Sequence, residues 1–195
     1  MCNLYTQSKS VDEIAALFRE LQMPLRFPEG IPNLQPRDIC ITDPAPIVRA
    51  DGSGGYELVV RRWSWPMQTG KPLYNFRSEG RDFPRGRCLA LADGFYEFTT
   101  PADTKRKRKD RWLFSGASEP ILGIAALWRP VPEFGEAFTL LTAGPGPDVA
   151  PYHGRQIVIL PQSEWRDWLD HARPSKDMLS PSKGGFLAVC PANKD

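Results

Sequence analysis

Proline and glycine interrupt this chain so often that little room remains for long helices. The 195 residues include 20 prolines and 16 glycines, and prolines at positions 24, 28, 32 and 36 break regular structure over that whole stretch. Short runs of strand-forming residues follow them. This punctuation favours a β-rich fold with many loops over a helical bundle.

Several short segments show the alternating or continuously apolar pattern of strands. The predicted strands are Asp38–Thr42, Pro46–Ala50, Tyr56–Trp63, Arg87–Ala92, Phe95–Thr99, Trp112–Ser115, Ile121–Trp128, Ala137–Thr142, Gln156–Leu160 and Phe186–Cys190. Ser10 and Glu13 form a capping box before an amphipathic helix, and a second helix is expected near Ser163–His171. We therefore expect an α+β fold in one domain over residues 1–195, with a mostly antiparallel, barrel-like sheet and peripheral helices.

Hydropathy and cysteine spacing exclude several classes of protein. No apolar run reaches the roughly 18 residues of a membrane span, and the first ten residues lack the apolar core of a secretory signal. The four cysteines form no closely spaced pair, and the chain has only two histidines. Neither a disulfide framework nor a metal centre is expected. We expect a cytoplasmic monomer without cofactor, metal or membrane partner.

The positive charge of the chain is concentrated in one segment. Lys105–Arg111 holds six basic residues and one acidic residue, so the remainder of the chain has a net charge of −3 although the whole chain carries +2. Such a basic loop can attract a polyanion, with binding that depends on salt. The alternative is a solvated hairpin tip with no partner.

Cys2 is the most unusual cysteine, because removal of Met1 would make it the N-terminal residue. An α-amine has a pKa of about 7.7–8.0, so a sizeable minority is nucleophilic near neutral pH and can attack an aldehyde. The neighbouring thiol can then close a five-membered thiazolidine ring. The alternative is an accidental cysteine on a frayed terminus. The other three cysteines, Cys40, Cys88 and Cys190, lie in apolar runs and are expected to be small buried side chains.

Two titratable residues are candidates for proton transfer. His153 lies between a loop rich in proline and glycine and a predicted strand, whereas His171 lies at a helix end and is expected to be a cap or exposed. Strand alternation places Glu97 on the same face as Phe95. In an apolar pocket the pKa of Glu97 would rise and suit it to shuttle protons to an amine adduct; otherwise it is an ordinary surface carboxylate.

Two further groups of residues suit nucleic-acid binding. Asn75, Arg77 and Glu79 alternate along one row, where an amide, a phosphate-binding guanidinium and an orienting acid could act together. An exposed ion pair on an edge strand is the alternative. The segment from Arg61 to Met67 interleaves arginines with Trp63 and Trp65, which could stack on bases but are also typical core residues.

Taken together, these residues resemble the SOS response-associated peptidase (SRAP) family. The matching elements run through most of the chain, in the family's order. They are Cys2 with the aromatic Tyr5, Asn33-Leu34-Gln35-Pro36, Trp63-Ser64-Trp65-Pro66, Asn75-Phe76-Arg77-Ser78-Glu79, the intact run Ala92 to Phe98, and His153-Gly154-Arg155. The chain departs from the family's usual residues at Asn3, Leu4, Phe76 and Ile157.

The resemblance implies a function, because members of this family cross-link themselves to abasic sites in single-stranded DNA. It implies that Cys2, after loss of Met1, attacks the C1′ aldehyde of the opened sugar and forms a thiazolidine that shields the strand. It gives Asn75 the role of holding the Cys2 end or the sugar, Glu97 that of managing the proton on the amine and imine, and His153 that of general acid. It further implies peptidase removal of residues before Cys2, and slow β-elimination as a side reaction that closure of the thiazolidine should suppress.

The resemblance also implies which residues contact DNA. Arg77 and Arg155 would bind phosphates on either side of the lesion. The remaining implied contacts are Asn33, Pro36, Trp63, Trp65, Pro66 and Met67. The partner would be single-stranded DNA with an abasic site, alone or at a junction with duplex, which would associate a bacterial protein with the nucleoid.

The sequence is also compatible with two other functions. One is a non-covalent single-strand-binding module that uses Trp63, Trp65 and the basic segment, and this predicts equal binding to intact and abasic strands. The other is a peptidase that uses Cys2 and His153 on protein substrates. Turnover of a peptide without DNA would identify it.

Overall fold

The computed structural model describes residues 2–67, 69–103, 105–133 and 135–192. The strands in these ranges are β1 (Leu4–Gln7), β2 (Leu25–Arg26), β3 (Arg37–Cys40), β4 (Pro44–Ala50), β5 (Tyr56–Trp63), β6 (Trp65–Pro66), β7 (Pro72–Leu73), β8 (Asn75–Arg77), β9 (Arg87–Ala92), β10 (Gly94–Thr99), β11 (Asp110–Gly116), β12 (Leu122–Val131), β13 (Gly135–Ala143), β14 (Gln156–Ile157), β15 (Ile159–Leu160) and β16 (Leu187–Pro191). The α-helices are α1 (Val11–Glu20) and α2 (Trp165–Leu169), and 3-10 turns span Gln162–Glu164 and Ser175–Asp177. Among these described residues, no helix combines the length and apolarity needed to cross a membrane.

Five of the strands close into a barrel. The strands β13, β12, β9, β4 and β5 are neighbours in that order, and each of these pairs is antiparallel. A parallel pairing of β5 with β13, through Arg62 and Ala137 and through Trp63 and Phe138, completes the ring. The predicted α+β fold with a mostly antiparallel, barrel-like sheet is therefore confirmed.

One ion pair shows which strand faces point into the barrel. Arg49 on β4 lies 3.0 Å from Glu136 on β13, although these two strands are not neighbours. The two side chains therefore meet across the barrel, and the strand faces that carry them point into its interior. The inward face also carries Ile47 opposite Val59 and Ala90. The outer face carries apolar residues such as Leu89, which share a cluster with Phe18 of α1 and with α2.

A second sheet has the order β16, β11, β10, β1 and β3, and all of its pairings are antiparallel. The side chains of its inner face, including Tyr5 and Phe95, belong to the same buried cluster as the barrel interior. The Tyr5 and Trp63 rings are 5.1 Å apart. Cys2, two residues before β1, is therefore brought to the junction between the second sheet and the barrel.

Local signals account for several of these elements. The capping box is present, with the Glu13 amide donating to Ser10 Oγ and the Ser10 amide donating to Glu13 Oε2. The predicted second helix is shorter, because a 3-10 turn precedes Trp165. The predicted strand Gln156–Leu160 is divided in two, because its first part pairs with β13 and its second with β12.

The expectation that three cysteines are buried is correct only for Cys88, which lies in the barrel interior. Cys40 and Cys190 are exposed. Cys40 lies on β3 and Cys190 on β16, and these are the two edge strands of the second sheet. An edge strand leaves more of its side chains open to solvent than a barrel strand does, which an apolar run in the sequence does not reveal.

Candidate active site

Four side chains that are far apart in the sequence meet where the second sheet covers the barrel. Cys2 precedes β1, Asn75 begins β8, Glu97 lies on β10, and His153 lies in the loop before β14. The antiparallel register of Tyr5 with Phe95 directs the N-terminus along β10 toward Glu97. Met1, whose removal is expected, lies outside the described residues.

The thiol of Cys2 is buried in the chain that still carries Met1. Its residue is 0% exposed, and Sγ donates to the Leu4 carbonyl oxygen at 3.4 Å. Burial, and then the charge of Glu97, raise the pKa of the Cys2 thiol to about 12. At neutral pH the sulfur therefore carries its proton and is not a thiolate nucleophile.

Asn75 holds the main chain of Cys2. Its Nδ2 donates a 2.6 Å hydrogen bond to the Cys2 carbonyl oxygen. The short strand β8 is held in place by parallel pairing with β13, where Asn75 lies opposite Leu140. Asn75 Oδ1 is buried and has no hydrogen-bond partner among the described residues, so it can accept a bond from an incoming group.

Glu97 and His153 form the titratable pair of the site. Glu97 Oε2 lies 3.9 Å from His153 Nε2, and the glutamate is only 2% exposed. The other imidazole nitrogen, Nδ1, lies 3.0 Å from the Arg155 amide nitrogen and 2.9 Å from the Arg155 carbonyl oxygen. The backbone of Arg155 therefore orients the ring so that Nε2 faces the carboxyl group.

The environment moves the two pKa values in opposite directions. Burial raises the pKa of Glu97 to about 7. Burial lowers the pKa of His153, and the nearby charges of Lys109 and Arg155 lower it further. Near neutral pH Glu97 is therefore close to half protonated while His153 is mostly neutral. Glu97 is the better proton donor of the two under these conditions.

Comparison with known families assigns the chain to a family. The family model for SOS response associated peptidase (SRAP) matches residues 1–195. The chain belongs to this family. Membership supports a peptidase-like function associated with the SOS response.

Solved structures share the SRAP fold of this chain. A Bordetella bronchiseptica protein superposes with a TM-score of 0.76 at 22% identity, over 99% of this chain and 100% of its own. A Bacteroides thetaiotaomicron protein gives 0.74 at 16% identity, over 100% and 93%. A phage-related protein of Bordetella bronchiseptica gives 0.74 at 21%, over 99% and 95%. No curated protein matches the sequence.

The SRAP motif row Asn75, Arg77 and Glu79 is arranged differently from the expectation. Glu79 forms a two-pronged ion pair with Arg155, at 2.7 and 2.9 Å, and not with Arg77. Arg155 Nη2 also donates to the main-chain and side-chain oxygens of Thr142. The acid thus orients the arginine next to His153, because β8 and the start of β14 both pair with β13. A phosphate could bind Arg155 only by sharing or displacing Glu79, while Arg77 is exposed.

The two SRAP motif tryptophans that were expected to stack on bases are buried in this structure. Trp63 is 0% exposed, and its Nε1 donates to the Tyr74 carbonyl oxygen at 2.9 Å. Trp65 is also buried, and the guanidinium of Arg129 lies 4.4 Å from its ring centre. Both rings pack within the apolar clusters, so neither exposes a face on which a base could stack in this structure.

The other predicted DNA contacts of this SRAP chain are accessible but scattered. Pro66 is half-buried and Met67 is 42% exposed. Asn33 and Pro36 are exposed on the loop before β3, and Asn33 lines a groove of about 360 Å³ together with Gln7. Gln7 is at the opposite end of β1 from Cys2. The structure therefore does not bring the Asn33 loop to the Cys2 cluster.

Sequence reasoning missed the side chains that support this SRAP site. Thr142 accepts from Arg155 through Oγ1 at 3.0 Å. The Trp112 ring, opposite Glu97 on the neighbouring strand, lies 4.8 Å from the Tyr152 ring and so packs the His153 loop against the second sheet. Aromatic residues flanking a candidate histidine were the available signal, but only the strand pairing shows that they meet.

Proposed function

We propose that this protein forms a covalent link between Cys2 and the ring-opened aldehyde of an abasic site in single-stranded DNA. The observation that carries the proposal is the meeting of Cys2, Asn75, Glu97 and His153 at one point. An amine with a neighbouring thiol, next to a carboxyl group that exchanges protons near neutral pH, suits condensation with an aldehyde.

The reaction begins when hydrolysis of the Met1–Cys2 bond frees the Cys2 α-amine. The amine attacks C1′ of the aldehyde, and loss of water gives an imine. The thiol then adds across the carbon–nitrogen double bond: sulfur bonds to C1′ and the thiol proton goes to nitrogen. The thiazolidine forms with release of one water, without an oxidant or a metal.

Each neighbour has a role set by its contacts. Glu97 supplies the proton that turns the hydroxyl of the first adduct into water, and accepts the proton that the amine loses. The Asn75 amide holds the Cys2 carbonyl, and its buried Oδ1 is available to the freed amine or the sugar hydroxyl. His153 faces Glu97 and hydrogen-bonds the sugar oxygen as the ring opens.

In this proposal the peptidase activity of the family takes place at the same site as cross-linking. The bond to be hydrolysed ends at the Cys2 nitrogen, within the site itself. We therefore propose that release of Met1 prepares the nucleophile, whether it occurs in the site or through a general aminopeptidase. The buried thiol belongs to the chain before this cleavage.

The test uses an oligonucleotide with one abasic site and a matched strand in which a stable tetrahydrofuran replaces the aldehyde. Intact mass spectrometry first shows whether Met1 is absent. We expect a denaturation-resistant adduct with the aldehyde strand only, formed equally by Cys40→Ser, which retains the site. Cys2→Ala should give only an imine that needs chemical reduction to survive.

Two results contradict the proposal and identify its alternatives. If protein lacking Met1 forms no adduct, cross-linking is wrong. Equal binding of Cys2→Ala to intact and abasic strands, with no adduct from the parent, would indicate a non-covalent binding module. Turnover of a peptide in the absence of DNA, lost in Cys2→Ala, would indicate a peptidase with protein substrates.

A further inference from the structure

The loop that joins β10 to β11 carries a run of exposed positive charge. We define the basic loop as Lys105, Arg106, Lys107, Arg108 and Lys109, all of them exposed. The strands that it joins pair up to Thr99 opposite Asp110. Within the loop region, Arg106 forms an ion pair with Asp110 at 3.0 Å.

Arg111 differs from the basic loop, although it belongs to the same charged segment. Its Nη2 donates to Asp38 Oδ2 at 2.8 Å, and its guanidinium lies 3.6 Å from the centre of the Tyr96 ring. These contacts make Arg111 an anchor that fixes the base of the hairpin. Because Arg106 already pairs with Asp110, the positive charge offered to a partner is chiefly that of Lys105, Lys107 and Lys109.

The hairpin places the basic loop beside the candidate active site. Glu97 lies two residues before the end of β10, and its cross-strand partner Trp112 packs on Tyr152, the neighbour of His153. Lys109 is close enough for its charge to lower the pKa of His153. The loop thus extends from one side of the site, and not from the far end of the fold.

From this placement we infer that the basic loop binds the phosphates of the single strand on one side of the abasic site. The inference rests on the proposed function for the identity of the ligand. A net charge of −3 on the rest of the chain repels a polyanion. The most favourable electrostatic interaction for a DNA strand that enters the site is therefore with the lysines of the basic loop. Because the loop lies to one side, it serves one flank of the lesion.

The binding test uses Cys2→Ala, which removes the covalent step, and intact single-stranded DNA at several salt concentrations. The loop variant is Lys105→Gln/Lys107→Gln/Lys109→Gln. The control, Arg19→Gln/Arg85→Gln/Lys176→Gln, removes the same charge from exposed residues on α1, before β9 and in the 3-10 turn near α2. Thermal melts check that both variants fold.

On a plot of log affinity against log salt concentration, three phosphate contacts make the slope more negative by about 2. Raising salt from about 50 to 200 mM should therefore weaken DNA binding by the Cys2→Ala protein about 20-fold more than DNA binding by the same protein with the three loop substitutions. The control should behave like the parent. Equal slopes for parent and loop variant, or an equal change in the control, would overturn the inference.

A second experiment tests the one-sided placement in the protein that retains Cys2. Two oligonucleotides carry the abasic site near the 5′ end or near the 3′ end. The loop variant should slow adduct formation at low DNA concentration on one of them only. Equal slowing on both would contradict a one-sided contact.

The outcomes separate the two proposals. If the parent forms the adduct and the loop variant keeps its full salt slope, the loop inference fails alone. If no adduct forms but intact DNA still binds through the loop, the cross-linking function fails and the loop contact stands.

Discussion

The side-chain amide of Asn75 donates a 2.6 Å hydrogen bond to the main-chain carbonyl of Cys2, across 73 residues of sequence. This bond ties the N-terminal segment to β8 and, through β8, to the barrel strand β13. The position of the Cys2 amine and thiol relative to Glu97 therefore depends on this bond together with the pairing of β1 with β10.

Replacing Asn75 by Asp should slow adduct formation about five- to tenfold. The carboxylate cannot donate to the Cys2 carbonyl, and loss of one such hydrogen bond costs about 1–1.5 kcal/mol. The rate is measured by denaturing gel on abasic DNA, with circular dichroism as a check of folding. An unchanged rate in a folded variant would remove Asn75 from the site.

Thiol labelling should distinguish the four cysteines while Met1 is attached. Iodoacetamide at pH 8 should alkylate the exposed Cys40 and Cys190, whereas Cys2 and Cys88 are buried and burial raises the pKa of both thiols. Peptide mass spectrometry assigns the modified residues. Rapid labelling of Cys2 in the uncleaved chain would contradict its buried position.

Glu97→Gln should stabilise the protein at alkaline pH. Because the folded-state pKa of Glu97 is raised from 4.5 to about 7, the folded chain binds more protons than the unfolded chain between these values, and the glutamate destabilises the fold as pH rises through them. The free energy of unfolding should favour the variant by up to about 3 kcal/mol at pH 8.

The same difference should shrink toward zero near pH 4.5, where Glu97 is protonated in the folded chain. Urea unfolding of both proteins at pH 5 and pH 8 measures the change. A difference that does not depend on pH would show that Glu97 titrates normally.

Arg155→Lys should reduce activity more than stability. The pair of Arg155 with the half-exposed Glu79 contributes at most about 1 kcal/mol to stability, but lysine cannot form the two-pronged contact or reach Thr142 in the same geometry. Because the Arg155 backbone orients His153, we expect a severalfold slower adduct rate. Lysine keeps the positive charge. A slower adduct rate with unchanged DNA affinity would therefore show that Arg155 acts by positioning His153 and not by binding a phosphate.

Ser64→Gly should raise the free energy of unfolding by about 0.5–1 kcal/mol. Ser64 has φ +97° and a buried hydroxyl without a hydrogen-bond partner among the described residues. Glycine relieves the strained backbone and keeps the 2.7 Å bond from its amide to the Phe138 carbonyl. Ser64→Ala is the control, since it removes the hydroxyl but keeps the strain. Equal stabilities of the two variants would show that the backbone is not strained.

Much of the fold could be predicted from short stretches of sequence. The capping box of α1 and most barrel strands follow from patterns within a few residues, because helix caps and alternation are local. The burial of Glu97 also agreed with its alternation with Phe95. The short strands β1, β2, β6 and β7 were missed, since two to four residues form a strand only where a neighbour supplies the hydrogen bonds.

The residue types of the chain determine which chemistry is available: one cysteine directly after Met1, one histidine in a loop, and one acid on an apolar strand face. The sequence cannot determine which arginine Glu79 binds, that Trp63 and Trp65 are enclosed, or that the basic loop extends beside His153. Each of these depends on strand pairings between segments that are distant in the sequence. Those pairings form only when the whole chain folds and the barrel closes. Side-chain distance and burial, and with them the pKa of Glu97, are products of that long-range packing.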